Sequence, residues 1–209
     1  MSVVCQIGGG MIGKIMALDI SKRHELHLAD LNENVLRNIK KTNPSIITKH
    51  IDANDLNKLE EFIAPADIVL LSVPGYLGYN LLENIISLKK NILDISFSPN
   101  DPIKLDEYAK KNNVTVVFDS GLAPGIPNFL LGSLDFSEEI KEFNYFVGGL
   151  PKNPLPPYNY KAPFSPIDVL EEYTRPARVI ENGELIIKPA LSEVEKKYYS
   201  QSGLLEAFN

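Results

Sequence analysis

Short apolar segments alternate with helix-like segments along residues 2–121, and this alternation constrains the fold more than any other feature. Residues 66–74, ADIVLLSVP, are almost entirely apolar, which is typical of a strand buried on both faces of a parallel sheet. The predicted strands are residues 2–8, 25–30, 45–52, 66–74, 91–97 and 114–121. The predicted helices between them are residues 11–22, 32–42, 54–64, 78–89 and 102–113. The pattern predicts a right-handed, doubly wound parallel sheet, in which ligands bind beyond the carboxyl ends of the strands.

A cluster of glycines, IGGGMIGK, joins the first predicted strand to the first predicted helix. Gly8, Gly10 and Gly13 fit the spacing G-x-G-x-x-G in that context. Gly8 allows a sharp turn, Gly10 leaves the backbone bare for a pyrophosphate, and Gly13 lets the helix pack close to the strand. The backbone amides of Met11 and Ile12 are expected to face the phosphates. The pattern predicts a dinucleotide site, and the alternative is a glycine turn that binds nothing.

Asp30 ends the second predicted strand, about 20 residues after Gly8, where dinucleotide-binding domains carry an acid. A carboxylate there hydrogen-bonds the ribose hydroxyls and repels a 2′-phosphate. The sequence therefore predicts NAD as the cofactor, with NADP disfavoured.

Further candidates follow the other strands, at the edge where the ligand is expected. They are Asp52, Ser72, Val73, Pro74, Asp94, Ser96, Asp119 and Gly121. The residues after the fourth strand are expected to border the nicotinamide. Asp52 is expected near the adenine, or else it is a plain solvated acid. The residues after the fifth and sixth strands either belong to the site or cap their loops.

The pattern changes near residue 135, which predicts two domains, 1–135 and 136–209. Residues 139–150 are predicted as a strand, and the proline-rich stretch that follows is not a sheet core because proline lacks the amide donor. Residues 165–175 are predicted as a helix with Ser165 as cap and Pro166 at its first position. Asn182-Gly183 predicts a two-residue hairpin turn, whereas the last 18 residues have no clear period.

Composition excludes several classes of protein. The net charge of −6 and the pI of about 5.2 argue against nucleic acid or an anionic membrane as partner. Cys5 is the single cysteine, so it is predicted to be a buried thiol in a protein of the reducing cytosol. No basic leader is apparent before the first strand, and no apolar run is long enough to span a bilayer. The cysteine and histidines lack metal-binding spacing, so no metal site is predicted.

Several longer motifs resemble the saccharopine dehydrogenase family, with its lysine 6-dehydrogenase-like branch as the best match. They are GLAPGIPNFLLG (121–132), VGGLPKNPLPPYNYK (147–161) and FSPIDVLEEYTRPARVIENGE (164–184). The resemblance covers nearly the whole chain. It implies an α/β fold: a Rossmann-type doubly wound sheet followed by a partial α+β substrate domain, usually in a homodimer. Because family members continue beyond the segment similar to SGLLEAFN, we expect the substrate domain to lack its carboxyl-terminal part or to receive it from an associated portion.

The resemblance also implies NAD-dependent oxidative deamination of L-lysine, or of a related amine such as saccharopine, to 2-aminoadipate 6-semialdehyde. Such an enzyme needs a proton acceptor and donor, a partner for the substrate carboxylate, and exclusion of water. Asp119, Lys161 and Tyr76 are the catalytic candidates, and each also has a purely structural interpretation. The substrate-binding candidates are Asp94, Gly121, Gly149 and Arg175. The alternative function is an inactive nucleotide-binding or regulatory module; a methyltransferase fits the SVPG ending of the fourth strand less well.

Overall fold

A computed structural model describes residues 1–134 and 140–209. The chain divides into two compact units, Met1–Lys141 and Glu142–Asn209. The boundary that the sequence predicts, between residues 135 and 136, lies outside the described residues.

The first unit is built on a six-stranded parallel sheet with the strand order β3-β2-β1-β4-β5-β6, which confirms the predicted doubly wound fold. Its strands are β1 (Val3–Ile7), β2 (Glu25–Asp30), β3 (Ile47–His50), β4 (Ile68–Leu71), β5 (Ile92–Asp94) and β6 (Val116–Val117). Its helices are α1 (Met11–Ile20), α2 (Glu33–Thr42), α3 (Leu56–Ile63), α4 (Gly75–Ser87), α5 (Asp106–Asn112) and α6 (Ile126–Gly132), with a 3₁₀ turn at Pro102–Leu105. Several strands are shorter than predicted, because their last residues turn into the loops that carry the site candidates.

Helix α2 illustrates how local sequence sets the boundaries of these elements. The side chain of Asn32 accepts a hydrogen bond of 2.9 Å from the backbone N–H of Asn34, which caps the helix as predicted. Leu36 and Ile39 form its buried face. The helix ends at Thr42, because the backbone of Asn43 is extended and leaves the helical conformation.

Apolar side chains pack against both faces of the sheet. Strand β4 contributes to both layers, since Val69 and Leu71 pack with α3 and α4 whereas Leu70 packs on the side of α1 and α2. This two-sided burial explains why its sequence is continuously apolar. Cys5 is fully buried in the first of these layers, as the sequence predicts.

The second unit contains helix α7 (Pro166–Glu172) and two antiparallel hairpins. The first hairpin pairs β7 (Ala177–Glu181) with β8 (Glu184–Lys188), and it confirms the predicted turn: Asn182 and Gly183 have φ of 52° and 81°. The second pairs β9 (Glu195–Tyr199) with β10 (Gly203–Ala207). Ser165 precedes α7 as predicted, but its side chain makes no capping hydrogen bond.

Three expectations from sequence were incomplete or wrong. The strand predicted over 139–150 is wrong for residues 140–150, which are exposed and have no regular secondary structure; residue 139 lies outside the described residues. The sequence analysis also missed α6 and the β9–β10 hairpin. Within residues 1–134 and 140–209, no helix has both the length and the apolar character needed to cross a membrane.

Candidate functional site

The glycine turn between β1 and α1 is geometrically restricted at two positions and open at a third. Gly8 has φ of +97°, and a Cβ there would lie 2.3 Å from the carbonyl oxygen of Ser72. A Cβ on Gly13 would lie 2.4 Å from the carbonyl oxygen of Gly8. By contrast, a Cβ on Gly10 would meet no atom within 4 Å. The turn and the close helix contact therefore require glycine, while bare backbone at Gly10 faces open space.

The amides at the start of α1 are available to a ligand. Gly10 is the N-cap and makes no side-chain capping hydrogen bond. The first N–H groups of a helix have no partner within the helix, and the helix dipole makes this end attractive to anions. Met11 and Ile12, whose amides lie here, are 53% and 41% exposed. The arrangement fits a diphosphate approaching from solvent.

Two side chains, those of Gln6 and Ser72, hold the turn through hydrogen bonds to its carbonyl oxygens. Gln6 Nε2 donates to the carbonyl oxygens of Gly8 and Gly13 at 2.8 and 2.7 Å. The hydroxyl of Ser72 also donates to Gly8 O, at 2.7 Å. Sequence reasoning missed Gln6, although a glutamine inside the apolar strand VVCQI is itself a signal, since buried polar groups need partners.

Asp30 lies at the end of β2, beside this turn. Its Oδ2 accepts a hydrogen bond from Gly9 N–H and its Oδ1 from Asn32 N–H, both at 2.7 Å. A carboxylate oxygen can accept more than one hydrogen bond, so the half-buried side chain keeps acceptor capacity for a ribose hydroxyl. Asp30 thus lies beside the glycine turn, and its contact with a ribose stays a prediction.

The residues that follow β4 lie beside the glycine turn, because β4 pairs with β1 through Ile7 and Leu71. Ser72 is bonded to the turn, and Val73 and Pro74 lead into α4. Tyr76, in the first turn of α4, is 58% exposed, which leaves its ring accessible.

Asp52 behaves as a loop-capping residue. It is exposed, and its Oδ1 accepts hydrogen bonds of 2.9 Å from the backbone N–H and the side-chain amide of Asn54. These contacts favour the solvated-acid interpretation, and a contact between Asp52 and adenine stays a prediction.

Asp94 and Ser96 form a buried pair after β5. Asp94 is 1% exposed, and its two oxygens accept hydrogen bonds of 2.8 Å from the N–H and the hydroxyl of Ser96. Burial raises the pKa of Asp94 to about 6; the bonds from Ser96 oppose this, and the charge of Asp119 adds to it. Gly78 of α4 covers the pair, since a Cβ there would lie 2.0 Å from Ser96 Oγ. Contact between Asp94 and a substrate, or between Ser96 and a cofactor, would require this loop to open.

Asp119 and Gly121 lie in the loop after β6. Asp119 has φ of 49°, in the left-handed region, and its side chain is half-buried. The carbonyl of Gly121 accepts a hydrogen bond of 3.2 Å from Ile126 N–H, which ties the loop to α6. The loop thus has a fixed local geometry near Asp94, and the roles predicted for both residues stay predictions.

The remaining candidates belong to the second unit. Lys161 and Gly149 are exposed, and a Cβ on Gly149 would lie 2.6 Å from Cγ of Pro163. Arg175 follows α7 and forms an ion pair with Glu171 in the last turn of that helix, so its guanidinium is already engaged. A clamp on a substrate carboxylate would compete with that pair.

Cys5 has no features of a nucleophile. Its side chain is fully buried and its Sγ donates to the carbonyl oxygen of Phe62 at 3.5 Å. Burial raises the pKa of the thiol to about 11, so the thiolate is scarce at neutral pH.

Together, the parallel sheet and its glycine turn define a dinucleotide-binding domain of the Rossmann type. Comparison with models of protein families identifies the family to which this domain belongs. The family model for the saccharopine dehydrogenase NADP binding domain matches residues 4–117, and that for the saccharopine dehydrogenase C-terminal domain matches residues 121–209. The chain belongs to the saccharopine dehydrogenase family.

Curated relatives and a solved structure agree with this assignment. The chain is 29% identical over 167 residues to a saccharopine dehydrogenase [NADP(+), L-glutamate-forming] of Pyricularia oryzae, an alignment covering 73% of this chain and 36% of the relative. It is 27% identical over 146 residues to alpha-aminoadipic semialdehyde synthase of Arabidopsis thaliana. That alignment covers 65% of this chain and 13% of the relative. The fold matches apo saccharopine dehydrogenase (L-Glu forming) from Saccharomyces cerevisiae with a TM-score of 0.75 and 20% identity, over 100% of this chain and 50% of that one. The chain thus matches about a third or less of the length of these two curated relatives.

Proposed function

We propose that this protein binds NAD at the glycine turn and acts in the NAD-linked oxidation of an amine on a lysine-derived substrate. The observation that carries the proposal is the contrast among the glycines: Gly8 and Gly13 are sterically required, while Gly10 opens onto free space. A structural turn alone needs the first two, whereas bare backbone at Gly10 is what a diphosphate approaching the peptide amides requires.

The dinucleotide, when bound, accepts a hydride from the carbon that carries the amine. The chain's own task at this end of the sheet is to bind and orient it. The amides of Met11 and Ile12 would hold the diphosphate, and Asp30 would hold the adenosine ribose. Val73, Pro74 and Tyr76 would border the nicotinamide.

Asp30 supports a preference for NAD over NADP. Its carboxylate is fixed by two backbone N–H groups, so it cannot swing away from a 2′-phosphate without breaking them. Glu33, in the first turn of α2, adds a second negative charge three residues after Asp30. The matched family domain is named for NADP, and the Pyricularia oryzae relative carries NADP(+) in its name, so the proposal sets this chain apart from them.

The substrate we propose is saccharopine, with L-lysine as the second choice. The names of the matched relatives favour saccharopine, whose oxidation and hydrolysis would release L-glutamate and 2-aminoadipate 6-semialdehyde. The same chemistry on L-lysine would release ammonia in place of L-glutamate. The protein must remove a proton from the amine and direct water to the imine carbon.

Asp119, Tyr76 and Lys161 are proposed for proton transfer, and Gly121, Gly149 and Arg175 for substrate binding. Asp94 enters the proposal as a loop-positioning residue instead, because its carboxylate is buried and engaged by Ser96. We keep homodimer formation and association with a further carboxyl-terminal portion as proposals, and the cytoplasmic location stays a prediction.

Two measurements test the proposed function. Calorimetric titration with NAD and NADP should give tighter binding of NAD, and Asp30→Ala should weaken NAD binding by about 1.5–3 kcal/mol, as for charge-assisted hydrogen bonds. When the protein is mixed with NAD and saccharopine, the absorbance of NADH should rise, and with L-lysine it should rise more slowly. Ornithine serves as the control amine. Binding without turnover would favour the inactive nucleotide-binding module, and absence of NAD binding would contradict the proposal.

A further inference from the structure

Gln6 is a buried polar residue inside an otherwise apolar strand. Its side chain has no exposed surface, and it lies directly beneath the glycine turn. Nε2 donates to Gly8 O and Gly13 O and lies 3.2 Å from Ser72 Oγ. Oε1 is also buried, and among the described residues it has no hydrogen-bond partner.

The side chain is therefore an unfavourable choice for stability alone. A buried oxygen without a partner destabilises the folded state, whereas an apolar side chain of similar shape avoids that cost. Exchanging the two ends of the amide would not help, since Oε1 would then face two carbonyl oxygens. The hydrogen bonds that Nε2 donates must therefore account for the presence of glutamine at this position.

Those bonds fix the orientation of one peptide plane. The C=O of Gly8 and the N–H of Gly9 belong to the same planar unit and point in opposite directions. Gln6 and Ser72 hold the carbonyl on the inner side, and Asp30 Oδ2 accepts from the N–H on the other side. A continuous chain of hydrogen bonds thus runs from Gln6 through the Gly8–Gly9 peptide to the Asp30 carboxylate, and bonds in such a chain polarise one another.

A second bond ties α1 to the same anchor. Gly13 lies seven residues after Gln6, in the first turn of α1, and its carbonyl accepts from Gln6 Nε2 at 2.7 Å. One amide group therefore holds both the turn and the helix whose N-terminal amides face the proposed diphosphate.

We propose that Gln6 is a positioning residue for dinucleotide binding: it orients the Gly8–Gly9 peptide and the start of α1, and through them the Asp30 carboxylate. The inference rests on the proposed function, because it assigns Gln6 a role in the same cofactor site.

The test compares Gln6→Met, which keeps the approximate shape and removes the donor, with Val4→Ala. Val4 lies two residues earlier in β1, is buried on the same side of the sheet, and makes no side-chain hydrogen bond. We expect Gln6→Met to bind NAD about tenfold more weakly, as for the loss of one to two hydrogen bonds, without loss of stability in urea. Val4→Ala should lose stability and bind NAD within about twofold of wild type.

The Gly9 amide provides a spectroscopic signature that packing alone does not move. In ¹H–¹⁵N spectra, its proton signal should move upfield in Gln6→Met and stay in place in Val4→Ala, because only the first variant weakens the bond to Asp30. In the wild-type protein, the Nε2 protons of Gln6 should exchange slowly with solvent, which can be measured even if the variant does not fold.

Two results would overturn the inference. The first is a Gln6→Met variant that binds NAD with wild-type affinity. The second is a Gly9 signal that does not move in Gln6→Met, together with rapid exchange of the Gln6 side-chain protons in the wild-type protein. Failure of the proposed function has a different signature, because the wild-type protein itself would then bind no NAD while the Gly9 signal still reported on Gln6.

Discussion

Replacing Asp94 with asparagine should stabilise the protein at neutral pH and remove part of its pH dependence. Asparagine preserves both contacts with Ser96, since its Oδ1 accepts from the backbone N–H and its Nδ2 donates to the hydroxyl in place of the present arrangement. What it removes is the negative charge, which is 1% exposed in the folded protein.

The magnitude follows from the pKa. Burial raises the pKa of Asp94 from 3.8 to about 6, so the folded protein binds this proton more strongly than the unfolded chain does. The wild-type protein is therefore destabilised in full above about pH 6, and this penalty shrinks as the pH falls and disappears below 3.8. At about 1.36 kcal/mol per pKa unit, the difference amounts to about 3 kcal/mol in the free energy of unfolding.

Urea unfolding between pH 4 and 7.5 measures the effect. The stability of Asp94→Asn minus that of wild type should grow by about 2.5 kcal/mol between pH 4 and 7.5, since a small part of the penalty is already present at pH 4. Asp52→Asn is the matched control, because it makes the same change at an exposed loop carboxylate. A flat difference for Asp94→Asn, or one that grows as the pH falls, would refute the reasoning.

Three further predictions concern packing. Gly8→Ala should destabilise the first unit by about 1–3 kcal/mol or more in urea, because φ is +97° and the new Cβ meets the carbonyl of Ser72; wild-type stability would contradict this. Gly78→Ala should lose about 1–3 kcal/mol, and adding Ser96→Ala should restore part of it, whereas strictly additive losses would exclude the contact. Cys5 should react with Ellman's reagent only as the protein unfolds in urea, and fast labelling of the native protein would disprove its burial.

Periodic and local features of this fold could be predicted from sequence. The alternation of segments predicted the parallel sheet, because apolar residues recur at different spacings in strands and in helices. The Asn32 cap and the Asn182-Gly183 turn could be predicted because each depends only on neighbouring residues. The position of Asp30 beside the glycine turn also followed, because carboxyl ends of neighbouring parallel strands meet at one edge of the sheet.

Features that depend on distant contacts could not be predicted in the same way. The roles of Gln6 and Gly78 arise from carbonyl and hydroxyl groups that only the folded chain brings near them. Helix α6 was missed because Gly125 and Pro127 favour a turn, although both occur at a helix start. The β9–β10 hairpin was missed because charged residues interrupt the apolar alternation in Glu195–Tyr199.

The central claim is that the glycine turn holds the diphosphate of NAD against bare backbone, and Gly10→Val tests it most directly. Since a Cβ on Gly10 meets no atom within 4 Å, the variant should unfold in urea as the wild-type protein does. Calorimetric titration should nevertheless detect no NAD binding, because the side chain occupies the space that the phosphates need. Normal NAD affinity in a folded Gly10→Val variant would contradict the account.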